Sequence, residues 1–196
     1  MRALYLRMPA VATLVLAVGA GYLIGGIRSA LVVCALTLFI ALSPWWDRAL
    51  VTLYMATFGV VISCLIGFTV GTLCFQNKKS AAFMLGICDI FQTFPSFVYL
   101  IPVMMLFGIT DTSVLIAVVV YATIPATRYT IEGLRSVPVG LHEAATMSGV
   151  NKFQRLTKIE FPLAFPHMML GLNQTIVFAL FMVIIGAFIG TEDLGQ

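Results

Sequence analysis

The stretch EAATMSGVNKFQRLTKIEFP, residues 143–162, concentrates charge and turn signals inside a chain that is otherwise strongly apolar. Eight of the nineteen charged residues of the chain lie between Arg128 and Glu160. Two short helical patterns flank Gly149, and Pro162 follows the second of them. Since this is a long charged interruption between apolar runs, it decides how the rest of the chain is interpreted.

The composition around this stretch is that of a membrane protein. Of 196 residues, 61% are hydrophobic and 10% are charged, whereas a soluble domain has about 45–50% apolar and about 25% charged residues. A membrane-spanning helix needs about 20 mostly apolar residues. We therefore predict an all-α polytopic membrane protein with about six transmembrane helices, the fifth of them short, from the intervals without charge: 8–27, 29–46, 49–77, 90–110, 112–127 and 161–191.

The distribution of lysine and arginine predicts the topology. Positive charge clusters in 76–80 and in 128–160, and the alternating turns at 108–113 and 191–196 have little of it. Basic loops remain in the cytosol, so we expect a multi-pass protein of the inner (plasma) membrane with a cytosolic segment at 128–160. The net charge of +3 fits this topology better than a nucleic-acid partner. The predicted organisation is two N-terminal transmembrane helices in 1–47 and a transmembrane core in 48–196.

Residues 139–160, which we call the elbow, have the pattern of two helices joined at a glycine. Gly149 suits the left-handed position that follows a helix end. Asn151 and Gln154 have the spacing of a capping box that starts a second helix. Pro162 and Pro166 then suit the first turn of the last span. Taken alone, these features fit a docking surface for a partner and a bare interfacial loop equally well.

The elbow also resembles a known motif. Permease subunits of binding-protein-dependent ABC importers have E-A-A, three residues, G, nine residues and I-x-L-P. The spacing is matched here, with Phe161 in place of the motif leucine, by Glu143, Ala144, Ala145, Gly149, Ile159 and Pro162.

This resemblance implies a fold, a role and a set of partners. The fold would be that of a type I ABC importer permease (MetI-like), and the chain would lack a helix that relatives have beyond Gln196. The elbow would be the coupling helix, seated in a groove of a cytosolic ATPase. The implied partners are ABC ATPase subunits, an extracytoplasmic substrate-binding protein, a second copy of the permease (a homodimer) and the lipid bilayer. ATP and Mg²⁺ would be bound by the ATPase, since this chain has no G-x-x-x-x-G-K-[ST] motif, and we expect neither catalytic residues nor a bound cofactor here.

Two further stretches resemble one branch of these permeases. Q-T-x-P-x-F-V-Y-L-x-P lies at 92–102 and G-x-N-Q-T at 171–175. Both are similar to permeases for glycine betaine, proline betaine and choline, which implies import of quaternary ammonium osmolytes. The alternatives are a permease of the same fold for an amino acid or other small polar solute, and an incomplete fragment that transports nothing. A self-powered carrier is disfavoured, because the apolar intervals hold almost no ionisable residue.

Candidate substrate-path residues lie in the same two stretches. Aromatic rings attract quaternary ammonium groups through cation–π contacts, but ordinary helix packing explains the same aromatics. The spacing predicts that Phe91, Pro95, Tyr99 and Pro102 lie close to one helical face, with Phe94 beside it. The two prolines in this span also favour a broken helix. The full candidate set is Phe91, Phe94, Pro95, Tyr99, Asn173 and Gln174.

Three polar positions near this path have open interpretations. Asn173 and Gln174 are more typical of hydrogen bonds between helices than of substrate contact. Asp89 is either a buried polar contact near an inner gate or an interfacial residue. No metal site is expected, because His142 and His167 are far apart in sequence and the four cysteines lie in or beside apolar runs without a C-x-x-C motif.

Overall fold

All regular elements of residues 10–189, the range that the structure (a computed structural model) describes, are helical. The turn at 191–196 and the side chain of His142 lie outside that description. The helices are α1 (Ala10–Ala41), α2 (Trp46–Phe75), α3 (Lys78–Thr93), α4 (Phe97–Phe107), α5 (Asp111–Arg135), α6 (Val139–Met147), α7 (Lys152–Arg155) and α8 (Phe161–Phe188), with a π-helical turn at Leu156–Glu160 between α7 and α8.

Three of the described helical runs are long and apolar enough to cross a membrane: α2, α5 and the run Lys152–Phe188. Helices α3 and α4 form a fourth candidate as a pair bent by 86°. The two N-terminal apolar intervals correspond to shorter helices within α1, Ala12–Leu23 and Gly25–Ala41. The six apolar intervals therefore become three long helices, one bent pair and two short apolar helices.

The two halves of α1 are separated by a glycine break. Gly25 and Gly26 have non-helical backbone angles, and Gly26 has a φ of +68°, which favours glycine because it has no Cβ to clash. The halves then fold back on each other: a Cβ at Gly21 would lie 3.1 Å from Cγ2 of Val33.

The bend between α3 and α4 corrects the expectation of a single helical face. Phe94 is extended, with a ψ of 138°, because the residue before a proline is excluded from the helical region by the proline ring. Pro95 therefore ends one helix rather than continuing it. Phe91 and Tyr99 are close in space because the bend folds α4 back towards α3, and not because they share a helical stripe.

Helices α2, α5 and α8 pack most extensively and form the core of the fold. Glycines on α2 allow α5 to approach closely: a Cβ at Gly67 would lie 2.4 Å from the Cβ of Ala126, and one at Gly71 would lie 2.6 Å from the Cβ of Thr130. Small residues permit such approach between membrane helices. Met55 and Met182 are fully buried in this core.

Helix α5 continues beyond the predicted end of the fifth span. The apolar interval ends at residue 127, but the helix runs to Arg135. Its charges pair along one face, since Nε of Arg128 donates to Oε1 of Glu132 at 3.0 Å. Gly133 packs against Ala164 and the exposed His167 of α8. The segment predicted as cytosolic thus begins with two more turns of a packed helix.

The elbow has the predicted helix–glycine–helix form. Helix α6 ends before Gly149, whose φ is +71°, and the Val150 N–H donates to the Ala145 carbonyl at 3.1 Å. Both bonds of the capping box are present: the Gln154 N–H donates to Oδ1 of Asn151 at 2.8 Å, and the Asn151 N–H donates to Oε1 of Gln154 at 3.2 Å. From Lys152 to Phe188 the chain is one continuous helical run.

Candidate functional site

Four of the six residues predicted for coupling line one groove. This coupling groove, of about 540 Å³, lies between α6 and the start of α8. Ala144 and Ala145 contribute one wall, and Ile159 and Pro162 contribute the other. The remaining lining residues are Leu141, Ser148, Val150, Lys158 and Leu163. Glu143 is exposed outside the groove, and Gly149 makes the turn that brings the two walls together.

The elbow presents apolar side chains to its outside. Met147 is 90% exposed and Phe153 is 74% exposed, although they lie among charged residues. Large exposed apolar side chains next to a groove are typical of a surface that another protein covers. Exposed apolar side chains of this kind fit both interpretations left open by the sequence, a docking surface for a partner and an interfacial loop at the membrane.

A half-buried ion pair lies at the end of the elbow, directly before the last span, and it was not predicted from the sequence. Nε of Arg155 donates to Oε1 of Glu160 at 3.0 Å, and the Glu160 side chain is 2% exposed. The π-helical turn contains i→i+5 hydrogen bonds, and the two residues are five apart. Opposite charges at this spacing just before Pro162 were the available signal, but α-helical pairing rules consider only spacings of three and four.

Five aromatic rings form a row that crosses four helices. The ring centroids lie 6.2 Å apart for Phe94 and Phe91, 6.0 Å for Phe91 and Tyr99, 5.2 Å for Tyr99 and Tyr121, and 4.7 Å for Tyr121 and Phe178. We call these five residues the aromatic row. Phe91, Phe94 and Tyr99 were predicted, whereas Tyr121 and Phe178 were missed because they lie on α5 and α8, remote in sequence.

Hydrogen bonds hold the row at the bend. The Tyr99 hydroxyl donates to the backbone carbonyl of Phe91, which lies in the last turn of α3 and has no partner within the helix. The Ser96 hydroxyl donates to the Tyr121 hydroxyl at 3.3 Å. Tyr99 itself is only 7% exposed, so it supports the row from within the core.

A polar cavity of about 510 Å³ opens at the Phe178 end of the row. Arg128 is its main charged group: Nη1 donates to Oε1 of Gln92 at 3.0 Å and is paired with Asp89, while Nε is paired with Glu132. Asp89 is 60% exposed and so forms a polar contact at the surface of the chain. The lining residues are Gln92, Pro125, Arg128, Tyr129, Glu132, Gln174 and Phe178.

The remaining predicted path residues, Pro95, Asn173 and Gln174, do not lie together at one site. Gln174 lines the polar cavity, but Asn173, its neighbour, is exposed and lines neither the cavity nor the row. Pro95 is exposed in the bend. The hydrogen bonds expected between helices are not formed within residues 10–189 by the side chains of Asn173 or Gln174. Over the same range, no three His, Cys, Asp or Glu side chains are placed to hold a metal ion.

Comparison with known proteins identifies the family. Residues 59–196 match the family of binding-protein-dependent transport system inner membrane components. The chain belongs to this family. The ABC permease resemblance found in the sequence is therefore confirmed, as is the all-helical fold.

The relatives of this permease chain come from the predicted branch. It is 89% identical over 196 residues to the trimethylamine N-oxide transport system permease protein TmoV of Pelagibacter ubique, covering 100% of this chain and 27% of that protein. It is 33% identical over 193 residues to the glycine betaine/proline betaine transport system permease protein ProW of Escherichia coli, covering 98% of this chain and 54% of that protein. The chain thus spans about a quarter of the first relative and about half of the second.

A solved structure supports the permease fold. The inward-facing MetNI methionine ABC transporter matches with a TM-score of 0.64 over 74% of this chain and 74% of that chain. At 24% identity this likeness concerns the fold alone, and the MetI-like architecture is thereby confirmed.

Proposed function

We propose that this chain forms the transmembrane permease part of an ATP-driven importer for small trimethylammonium osmolytes. The observation that carries the proposal is the coupling groove, where Ala144, Ala145, Ile159 and Pro162 meet on a helical run that continues into the last span. The relatives named for trimethylamine N-oxide and glycine betaine supply the substrate class.

The elbow transmits the motion of a partner ATPase. Two cytosolic ATPase subunits bind ATP and Mg²⁺ and close on the outer face of the elbow, where Met147 and Phe153 are exposed. Since α7, the π-helical turn and α8 form one run, a push on the elbow moves the last span. Hydrolysis reverses the movement, and no bond is made or broken in this chain.

The path lies along the aromatic row. A moving α8 carries Phe178 relative to Tyr121 on α5, which opens or closes the row. Cation–π contacts of about 0.5–2 kcal/mol each are weak enough to release a trimethylammonium group. A second copy of the permease forms the opposite wall, and an extracytoplasmic binding protein delivers the substrate.

Competition for uptake tests the substrate class. The complete transporter, with its ATPase and binding protein, is reconstituted in vesicles and supplied with labelled trimethylamine N-oxide. Unlabelled glycine betaine is expected to compete, and methionine or another amino acid without a trimethylammonium group is not. Competition by the amino acid alone would replace the proposed substrate class with the amino-acid alternative.

A further inference from the structure

The polar cavity has the size and position of a small-molecule site. Its volume of about 510 Å³ lies within the range of about 300–1,000 Å³ that is typical of ligand pockets. Three helices contribute to its walls: Gln92 from α3, Arg128 and Glu132 from α5, and Gln174 and Phe178 from α8. The transport cycle proposed above moves α8 relative to α5, so these walls change their separation during the cycle.

One side of the cavity offers unused hydrogen-bond donors. A guanidinium group has five N–H donors. Those of Arg128 on Nη1 and Nε point to Asp89, Gln92 and Glu132. No partner within residues 10–189 accepts from Nη2, and the side chain is 30% exposed. Its two N–H groups are therefore available to an oxygen atom of a ligand.

The lining of the cavity also includes an aromatic ring. Phe178 lines the cavity and is stacked on Tyr121 at 4.7 Å, so its ring is fixed by the aromatic row behind it. Gln174 lies one turn earlier on α8 and lines the same wall. A ring held in this way suits the methyl groups of a quaternary ammonium ion.

The charges of the cavity favour a zwitterion. The charged residues that line the cavity are Arg128 and Glu132, one of each sign, so the lining has no net charge. Asp89, which also pairs with Arg128, is not part of the lining and is 60% exposed. A ligand with a net charge of either sign therefore gains no attraction from the balanced lining. A ligand with a cationic end and a nearby oxygen acceptor can place its methyl groups against the Phe178 ring and accept hydrogen bonds from Nη2 of Arg128.

We propose that the polar cavity is a substrate subsite within the permease itself, which takes a trimethylammonium zwitterion. Phe178 contacts the methyl groups, and Nη2 of Arg128 donates to the oxygen. Trimethylamine N-oxide and glycine betaine have both features, whereas choline has the cation without the anionic oxygen. The inference rests on the proposed function and adds that the permease discriminates zwitterions from cations without its binding protein.

Ligand binding to the complete transporter, without the binding protein, tests the subsite. Saturation-transfer NMR titrations with glycine betaine, trimethylamine N-oxide and choline give a Kd for each compound. We expect wild type to bind the two zwitterions more tightly than choline. Phe178→Leu is expected to raise the Kd of all three by about 2- to 30-fold, the range of one cation–π contact. The matched control, Phe181→Leu, changes a phenylalanine on the same helix that is 59% exposed, and it should leave the Kd values unchanged.

A second pair of variants tests the oxygen contact. Arg128→Lys keeps the charge but loses the fork of donors, so the preference for glycine betaine over choline should fall towards one. Arg135→Lys, at the exposed end of the same helix, is its control. If Arg128→Lys does not fold, Gln174→Met replaces it and is expected to lower the affinity for zwitterions more than for choline.

The outcomes separate this inference from the proposed function. If wild-type vesicles take up trimethylamine N-oxide but Phe178→Leu and Phe181→Leu have equal Kd values, the subsite is overturned and the importer stands. If wild type binds none of the three compounds without the binding protein, the subsite is overturned in the same way. If wild-type vesicles with ATPase and binding protein accumulate no trimethylammonium compound, the proposed function fails, and the subsite fails with it.

Discussion

Tyr99 ties the two halves of the bent pair together through its hydroxyl group. The hydroxyl donates to the Phe91 carbonyl across the bend, in a part of the fold where Tyr99 is 7% exposed. This hydrogen bond is partly buried, and a carbonyl that loses its partner in such a position destabilises a protein. Tyr99→Phe is therefore expected to lower the free energy of unfolding by about 1 kcal/mol, measured by thermal unfolding of the purified permease. Thr93→Val, whose hydroxyl is exposed and bonds only its own helix, serves as the control. Equal losses for the two variants would contradict a specific role of Tyr99 at the bend.

Removing the Tyr99 ring tests its place in the path. Tyr99→Ala interrupts the aromatic row between Phe91 and Tyr121, so the flux of glycine betaine should fall more than the binding of the ATPase. The two quantities are measured by vesicle uptake and by co-purification. Unchanged flux in a folded variant would favour packing as the sole role of this ring.

Glu143 is an exposed acidic residue of the elbow, and under the proposed function it would meet a basic group on the ATPase. It is exposed beside the coupling groove, so Glu143→Lys replaces attraction by repulsion without disturbing the core. We expect the ATPase to co-purify with the variant at a yield reduced several-fold. Asp47→Lys, an exposed charge reversal in the first turn of α2, is the control and should keep the wild-type yield. Wild-type yield with Glu143→Lys would argue against the docking role of the elbow.

At the scale of elements, the packing of α2 on α5 depends on Gly67. A Cβ there would lie 2.4 Å from the Cβ of Ala126 and 2.9 Å from the backbone nitrogen of Thr127, which cannot rotate away. Gly67→Ala should thus destabilise the fold by about 1–3 kcal/mol. Gly86→Ala on α3, where a Cβ meets nothing within 4 Å, should be neutral or gain up to about 1 kcal/mol. Thermal unfolding of both variants checks this contrast, and a stable Gly67→Ala would contradict the close helix approach.

The ion pair between Arg155 and Glu160 lies at the π-helical turn, where the elbow meets the last span, and we expect it to stabilise this junction. Arg155→Met leaves the nearly buried Glu160 carboxylate without this guanidinium. The expected loss is about 1–3 kcal/mol, less than for a fully buried pair because Arg155 is a third exposed. Lys152→Met, an exposed basic residue on the same helix, is the control. If both variants unfold at the wild-type temperature, the pair contributes no stability to the junction.

Local signals in the sequence predicted the helices well. Contacts between helices that are distant in sequence could not be predicted from such signals. The spacing of Asn151 and Gln154 specifies a capping box by itself, and the structure contains both of its bonds. Tyr121 and Phe178 join the aromatic row only because α5 and α8 pack side by side, which no local pattern reveals. The prolines in this span favoured a broken helix, but no local pattern revealed that the Tyr99 hydroxyl donates to the Phe91 carbonyl across the bend.

Across the whole molecule, α8 connects the elbow on one side to the aromatic row and the polar cavity on the other. Helix α8 carries Pro162 of the coupling groove at its start and Phe178 of the cavity more than four turns later. A helix rises about 1.5 Å per residue, so a movement at the elbow acts on the cavity over about 24 Å. The sequence predicted the elbow and, of the cavity lining, Gln174 but not Phe178. It placed Pro162 and Pro166 in the first turn of the last span, whereas the helical run already begins at Lys152.

The most direct test of this account is ATP-driven uptake of labelled trimethylamine N-oxide and glycine betaine by vesicles that contain the complete transporter. Wild type and Glu143→Lys are compared, with ATP hydrolysis measured in the same vesicles. We expect wild type to accumulate both compounds only with ATP, and Glu143→Lys to abolish accumulation although the permease remains folded in the membrane. Accumulation by Glu143→Lys at the wild-type rate, or none by wild type while ATP is hydrolysed, would contradict it.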